Sequence, residues 1–202
     1  MQRTSVRIGL CAASSLFLLA LSAPGAAQPF YDAGEISVAL ERGFGIHHVS
    51  QNWEQDNGAE SGNDATVIGI GWAGALTPLH YTRAAVDGFI IDQLSLGGSF
   101  GFFSQSGDAD TSGLIIAPRV GYAIPLSDVF TFWPRGGLTY YDHGNQSLFA
   151  LTGEAMFVAS PHPNWGILFG PTIDLGFAGE QGDADYSAFA IGFPAVGLMA
   201  TF

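Results

Sequence analysis

The sequence contains no lysine, and after residue 27 only four residues carry a positive charge: Arg42, Arg83, Arg119 and Arg135. Eighteen acidic residues stand against these four arginines, so residues 28–202 carry a formal charge of −14. Proteins that bind nucleic acids present clustered Lys and Arg side chains to the phosphates. The composition therefore excludes nucleic acid as a partner.

The sequence also has a single cysteine, Cys11, and it lies in a segment that we expect to be removed. Arg3 and Arg7 precede an apolar stretch at 8–21, and small residues at 25–27 offer a cleavage site before Gln28. Residues 1–27 are thus predicted to be a cleavable signal peptide, and 28–202 a single domain. The exported domain would have no cysteine, which excludes disulfides and thiol chemistry.

No apolar run of about 18 residues follows Gln28, so no transmembrane helix is expected. Apolar residues instead alternate with small or polar ones, which is the period of a β-strand. In the clearest run, 93–102, Leu94, Leu96, Phe100 and Phe102 share one face. Serines and glycines occupy most of the other face.

Eight such segments follow one another along the chain. They are 34–48, 65–76, 89–104, 113–124, 129–141, 148–159, 165–178 and 186–202. One face is large and apolar and the other small or polar, which is the pattern of strands that face lipid outward and a barrel lumen inward. The sequence therefore predicts an all-β fold, a single antiparallel up-and-down transmembrane β-barrel of eight strands.

The predicted connections are of two kinds, as in outer-membrane barrels. Those at 49–64, 105–112, 142–147 and 179–185 are long and acidic, whereas 125–128 and 160–164 are short and contain proline. The connection at 77–88 is longer than a tight turn should be. Trp165, Tyr122, Tyr140 and Tyr141 are expected to lie at the membrane interfaces.

The last segment ends on Phe202, with Val196, Leu198 and Ala200 at alternate positions before it. This resembles the C-terminal signature of outer-membrane barrels, and residues 34–202 resemble the small OmpA/OmpX-type eight-stranded barrel proteins. The resemblance implies a bacterial outer-membrane location, a monomer surrounded by lipid and lipopolysaccharide, and assembly by the barrel-insertion machinery acting on the C-terminal strand. Phe189 and Ile191 are out of phase with Phe202, which predicts a β-bulge near 192–194.

The inward face is where charged residues would meet. Arg119 and Arg135 point inward on neighbouring strands, and a hairpin centred on Ser127 would place them opposite each other. Buried cations require carboxylates nearby, and the inward phase supplies Glu41, Glu154 and Asp174. These five residues are predicted to form a lumen charge network that plugs the barrel, with a narrow gated path for ions as the alternative.

These features favour a structural or surface-interaction barrel that is not an enzyme and has no cofactor. His48 and Ser50, with Glu54 nearby, have a His-x-Ser spacing similar to that of outer-membrane lipid A deacylases, so a lipid A-modifying hydrolase is a second alternative. His47 and His48 are otherwise expected at the outer rim. A soluble exported lipocalin-like barrel or β-sandwich is a third alternative, which requires the large apolar face to point inward.

Paired carboxylates recur in the predicted loops, at 108 and 110 and again at 183 and 185. They lack the full pattern of a calcium-binding loop, so solvated loops without a metal site are expected. Weak binding of divalent cations remains the alternative for these acids.

Overall fold

A computed structural model of the chain describes residues 30–70, 81–105 and 111–202. The predicted signal peptide lies outside the described residues. The described part is all-β and contains ten strands. They are β1 (Ile36–Gln55), β2 (Glu60–Ile70), β3 (Arg83–Ile91), β4 (Leu94–Gln105), β5 (Thr111–Tyr122), β6 (Ile124–Pro125), β7 (Phe130–His143), β8 (Gln146–His162), β9 (Trp165–Gln181) and β10 (Ala184–Thr201).

The ten strands occupy eight positions in a closed antiparallel barrel. β2 pairs with the 44–54 part of β1 and β3 with its 36–41 part, so β2 and β3 together fill one position. β5 and β6 both pair with β7 and fill another. β10 pairs with β1 and closes the ring, which confirms the predicted eight-stranded up-and-down barrel.

The two ends of the barrel differ. At one end, called the turn end, lie the start of β1, the end of β10 and the connections 92–93, 126–129 and 163–164. At the other, called the loop end, the described connections are 56–59, 144–145 and 182–183. Among the described residues no helix is long and apolar enough to cross a membrane.

The predicted third strand, 89–104, is wrong, because it contains a hairpin. β3 ends at Ile91, β4 begins at Leu94, and Gln93 has the left-handed φ of 71° that the turn requires. Outward residues on both strands, such as Val86 and Leu96, have even numbers, so the alternation continues through the turn and conceals it. Residues 83–88 of the unexplained connection are therefore strand. Residues 71–80, which include part of the predicted second strand, lie outside the described residues.

The predicted long acidic loops are also mostly wrong, because strands extend through them. β1 continues to Gln55 and β2 starts at Glu60, which leaves a connection of only four residues. β9 likewise extends to Gln181, and β10 already begins at Ala184. Beyond the apolar band the outward residues also become polar, so the large-apolar-outside alternation disappears although the ladder continues. Residues 106–110 lie outside the described residues.

A bulge near 192–194 is confirmed. The register of β10 against β9 shifts between Gly192 and Ala195. Because the bulge adds a residue, Phe189 and Ile191 point outward before it, and Leu198 and Phe202 point outward after it. The whole last strand thereby keeps its large apolar side chains on the outside of the barrel.

The charged layer of the barrel lumen

The five residues of the predicted network come from five different strands and meet in the middle of the lumen. Arg119 lies within 2.6 Å of a Glu41 oxygen and 3.3 Å of Glu154. Arg135 lies 2.6 Å from Glu41 and 2.7 Å from Glu154. Asp174 accepts a hydrogen bond of 2.7 Å from Thr152 Oγ1. All five charged side chains are buried.

Arg42 belongs to this layer, although strand alternation does not predict it. Leu40 and Phe44 point outward, and Arg42 would follow them into lipid in a regular strand. The register of β1 against β10 shifts between Leu40 and Phe44, and Arg42 has a φ of 55°. Because of this bulge, both Glu41 and Arg42 turn inward. Arg42 then donates to Asp174 at 2.7 Å and lies 3.3 Å from Glu154. The sequence did contain one signal of the bulge. Regular alternation would expose a single arginine to lipid, where a charged side chain is energetically costly.

Arg83 and Asp87 were also missed, because both fall in the segment predicted as a connection. Asp87 accepts a hydrogen bond of 2.9 Å from Arg119 Nε and also forms an ion pair with this guanidinium. Arg83 lies across from Glu41 in the β1–β3 register and donates to Thr139 at 3.4 Å. The layer thus contains all four arginines that follow residue 27.

The predicted opposition of Arg119 and Arg135 is wrong. Arg119 pairs with Gly137 and Arg135 pairs with Gly121, because the hairpin is centred on Asp128 and not on Ser127. Each cation therefore faces a glycine. A Cβ at Gly137 would overlap the backbone carbonyl of Pro118 and come within 2.8 Å of the Arg119 Cα, so the close approach of the two strands requires glycine there.

Charge in the layer is balanced. Four arginines face four carboxylates, those of Glu41, Asp87, Glu154 and Asp174, and all eight residues are at most 9% exposed. Buried ions lose their hydration, and only close opposite charges and hydrogen bonds offset that loss. Glu154 is the most shared of the carboxylates, since it forms ion pairs with Arg42, Arg119 and Arg135.

An apolar cluster lies between the charged layer and the turn end. Phe30 inserts from the N-terminal segment, with its ring centroid 5.9 Å from that of Phe89 and 5.6 Å from that of Trp133. Met156, Met199 and other buried residues fill the space around these rings. The Arg135 Cζ atom also lies 4.7 Å from the centroid of the Trp133 ring. This cation–π contact joins the cluster to the charged layer.

A second apolar cluster lies above the charged layer, toward the loop end. Ile115, Leu148 and Tyr141 are buried at its centre, and Trp53 packs on Tyr186 with 5.7 Å between ring centroids. The inward face is therefore not only small and polar, as the alternation indicated. Tyr141, predicted at the membrane interface, is instead part of this cluster, whereas Tyr122 is exposed as expected.

A small cavity borders the charged layer. The cavity lined by Arg83, Arg119, Arg135 and Glu154 has a volume of about 10 Å³. That is about the room one water molecule needs. An eight-stranded barrel is just wide enough for side chains to fill.

The outer surface has the opposite polarity. On β1 the outward residues change from Ile36, Val38 and Ile46 to polar residues such as Asn52 and Glu54. Ten residue steps of about 3.4 Å, on a strand tilted by about 40°, raise the chain by about 26 Å, which matches the apolar band of a membrane barrel. The large exposed apolar side chains contradict the soluble alternative, which required them inside.

The residues of the C-terminal signature all lie on the outward face of β10 or just after it. Val196, Leu198 and Ala200 pair with Phe44, Leu40 and Val38 of β1 at the seam where the barrel closes. Phe202 follows the strand, and its backbone exchanges two hydrogen bonds of 3.0 Å with Ile36.

The residues of the hydrolase alternative are separated. His47 is buried inside the barrel rather than at the rim, and His48 points outward. The His48 Nδ1 lies 3.1 Å from Thr66 Oγ1, and Ser50 pairs with Asp64 across the sheet. No hydrogen bond between Ser50 and His48 is found within the described residues, and Glu54 lies opposite Glu60 instead.

Acidic residues of the described chain do not form a metal site. Within 30–70, 81–105 and 111–202, no group of three or more His, Cys, Asp or Glu side chains has suitable geometry. Asp183 lies in the connection between β9 and β10, and Asp185 is the second residue of β10. The other predicted pair, at 108 and 110, lies outside the described residues.

No protein-family model matches the sequence, and no curated protein matches it. Several solved structures are similar to it. Ail, the attachment invasion locus protein of Yersinia pestis, is 12% identical with a TM-score of 0.38, over 84% of this chain and 99% of Ail. The N-terminal β-barrel domain of Pseudomonas aeruginosa OprF is 11% identical with a TM-score of 0.47, over 84% of this chain and 98% of OprF.

Neisserial surface protein A is 10% identical with a TM-score of 0.45, over 84% of this chain and 98% of the other. At these identities and scores, the likenesses carry no conclusion about what this chain does. Its function has to be inferred from its own side chains.

Proposed function

We propose that this protein is a plugged β-barrel of the bacterial outer membrane, with a structural or surface-interaction role and no enzymatic activity. One observation supports this most strongly: all four arginines after residue 27 lie inside the barrel, whereas large apolar side chains cover the outside. A soluble protein places these two classes the other way round. A bilayer is the solvent that favours this arrangement.

The signal peptide predicted at 1–27 would direct export, and the protein would be a monomer surrounded by outer-membrane lipids and lipopolysaccharide. Val196, Leu198, Ala200 and Phe202 would be read by the barrel-insertion machinery before the barrel closes. Their outward position at the β1–β10 seam supports this role, since that pairing closes the barrel.

The lumen supports a plug better than a pore. Charged side chains occupy the middle, apolar clusters lie on both sides of them, and the cavity beside the charged layer has a volume of only about 10 Å³. Ions would have to break several buried ion pairs at once to pass, and each broken pair costs several kcal/mol.

Heat-modifiability tests this proposal. Boiled and unboiled samples of an outer-membrane fraction are compared on a detergent gel, and the folded barrel is expected to migrate differently from the boiled chain. The purified barrel is then placed in a planar bilayer, where we expect no steady conductance. Recovery in the soluble periplasmic fraction without a mobility shift would contradict the membrane location.

Substitution of the arginines separates the plug from the narrow gated pore. Arg119→Ala and Arg135→Ala should lower the resistance of the barrel to unfolding and leave the folded fraction non-conducting. A folded variant that acquires a stable conductance would support the pore instead.

A further inference from the structure

The outer surface of the barrel has no arginine or lysine side chain to offer to lipids. Residues 28–202 contain four arginines and no lysine, and all four arginine side chains lie in the charged layer of the lumen. Lysine and arginine near a membrane surface are the side chains that attract anionic lipids. Because this barrel keeps all of them inside, its outer surface has no such attraction for an anionic headgroup.

The turn end of the barrel carries negative charge instead. Four carboxylates lie there outside the charged layer, those of Asp32, Glu35, Asp92 and Asp128. They come from the N-terminal segment and from two of the three hairpin turns, so they are distributed around the mouth of the barrel. The Debye length is about 10 Å at 0.1 M salt, and charges at this narrow rim therefore act on the lipids that touch it.

Two of these aspartates lie at the depth of the lipid headgroups. Asp92 directly follows Ile91, which is 58% exposed, and Asp128 lies in a turn whose apolar residues are also exposed. One residue step along a strand is about 3.4 Å, so both carboxylates lie at the edge of the apolar band. Tyr122 marks the same edge, since its hydroxyl donates a hydrogen bond of 2.6 Å to Gln93 Oε1. Tyrosine is typical of the membrane interface of such barrels.

The carboxylates of the loop end are farther from the membrane. Glu54 and Glu60 each lie eight residues beyond the exposed apolar side chains of Ile46 and Ile68 on their strands. Eight steps of about 3.4 Å, on a strand tilted by about 40°, place them about 21 Å beyond these side chains. The turn end is therefore the end whose charges meet the headgroups.

We propose that the turn end of the barrel selects zwitterionic phospholipids over anionic ones as its neighbours. A phosphoethanolamine or phosphocholine headgroup has no net charge, and its ammonium group can approach the aspartates. A phosphoglycerol headgroup brings a further negative charge to the same depth, and like-charge repulsion disfavours it. This inference deepens the proposed function by naming the class of lipid that contacts the barrel, and it rests on the membrane location proposed there.

Quenching of tryptophan fluorescence by brominated lipids measures this preference. The barrel is reconstituted at pH 8 in phosphatidylcholine that contains brominated phosphatidylcholine or brominated phosphatidylglycerol. Trp165 has the outward phase of β9 at the turn end, whereas Trp53 and Trp133 belong to the lumen clusters. The difference between the wild type and Trp165→Phe isolates the signal of Trp165. It yields the association constant of phosphatidylglycerol relative to phosphatidylcholine at this end.

We expect a relative constant of about 0.5 or lower in the wild type at about 0.1 M salt. It should rise toward 1 at about 1 M salt, where the Debye length is about 3 Å. Asp92→Lys/Asp128→Lys should raise the constant to 1 or above at the lower salt, because lysine attracts anionic headgroups. Glu54→Lys/Glu60→Lys makes the same change of charge at the loop end, is the matched control, and should leave the constant unchanged.

A wild-type constant of 1 or more at about 0.1 M salt would overturn the inference, and so would a constant that is the same at both salt concentrations. Neither measurement depends on the folding of a charge variant. Equal constants in the wild type and in Asp92→Lys/Asp128→Lys would also overturn it. Heat-modifiability is measured on every sample. These results in a heat-modifiable barrel reject the lipid preference alone, whereas a wild type with neither heat-modifiability nor quenching rejects the proposed membrane location.

Discussion

Arg42 has a left-handed backbone in the middle of strand β1. Its φ of 55° is in the left-handed region, which costs a non-glycine residue roughly 1 kcal/mol or more. The bulge is retained because it brings a fourth arginine to Asp174 and Glu154 and leaves the lumen with equal numbers of positive and negative groups. The strained backbone at Arg42 thus allows the whole charged layer to have no net charge.

Glu154 is the single carboxylate on which most of this layer depends. Glu154→Gln should lower the free energy of unfolding by about 3–5 kcal/mol, because three arginines lose a shared buried partner. Urea unfolding of the lipid-reconstituted barrel, followed by tryptophan fluorescence, measures the change. Glu180→Gln, at an exposed position of the neighbouring strand, is the control and should shift stability by about 0.5 kcal/mol or less. Equal effects of the two substitutions would show that the layer does not stabilise the barrel.

At the scale of elements, the β3–β4 hairpin ends the second of the eight barrel positions, which β2 and β3 share, and begins the third. Its turn holds a non-glycine residue, Gln93, at a φ of 71°, and the Gln93 backbone donates to Tyr31 O at 2.8 Å. The same turn thus fixes the N-terminal segment that carries Phe30 into the lumen. The hairpin therefore holds the segment from which Phe30 enters the apolar cluster at the turn end.

Gln93→Gly should stabilise this hairpin. Glycine adopts the left-handed conformation without the steric cost of a Cβ, which gives an expected gain of about 0.5–1 kcal/mol, reduced by loss of the side-chain hydrogen bond from Tyr122. The unfolding midpoint in urea measures it. Asp92→Gly is the control, since Asp92 lacks a positive φ and accepts a hydrogen bond from the Ala33 amide, and it should destabilise. Stabilisation by both glycines would contradict the assigned turn.

At the scale of the whole molecule, charge is sorted by position. The charged layer is neutral, and the other described carboxylates lie outside it, where the described chain has no arginine or lysine side chain. Because the layer contains four arginines and four carboxylates, the formal charge of −14 is carried by residues outside it. Self-repulsion among these carboxylates opposes folding.

Salt should accordingly stabilise the folded barrel. Raising the ionic strength from about 10 mM to about 1 M shortens the Debye length from about 30 Å to about 3 Å. We expect the urea midpoint to rise with NaCl. It should rise less in a Glu54→Gln/Glu60→Gln/Asp185→Asn variant, which removes three exposed carboxylates that lie opposite one another on neighbouring strands. The buried layer is hardly screened, so Glu154→Gln should keep the salt dependence of the wild type. A midpoint independent of salt would show that surface repulsion is negligible.

Strand alternation, read from the sequence alone, determined the class of fold and the orientation of most side chains. Each strand places alternate residues on opposite faces, so Arg119, Arg135 and Phe169 could be assigned to the inside or outside without a structure. The same rule put Glu154 and Asp174 in the lumen. The rule failed in two places. The Arg42 bulge breaks the period, and the turn formed by Asp92 and Gln93 preserves it and is therefore concealed.

Only the tertiary structure decided which charges meet and what fills the remaining lumen. Register depends on turn geometry, and a hairpin centre moved from Ser127 to Asp128 changed the partner of Arg119 from Arg135 to Gly137. The apolar clusters around Phe30 and Tyr141 combine residues that are far apart in sequence, and no local pattern brings them together. Local periodicity fixes the face on which a residue lies, whereas contacts across the barrel depend on the register of every strand between them.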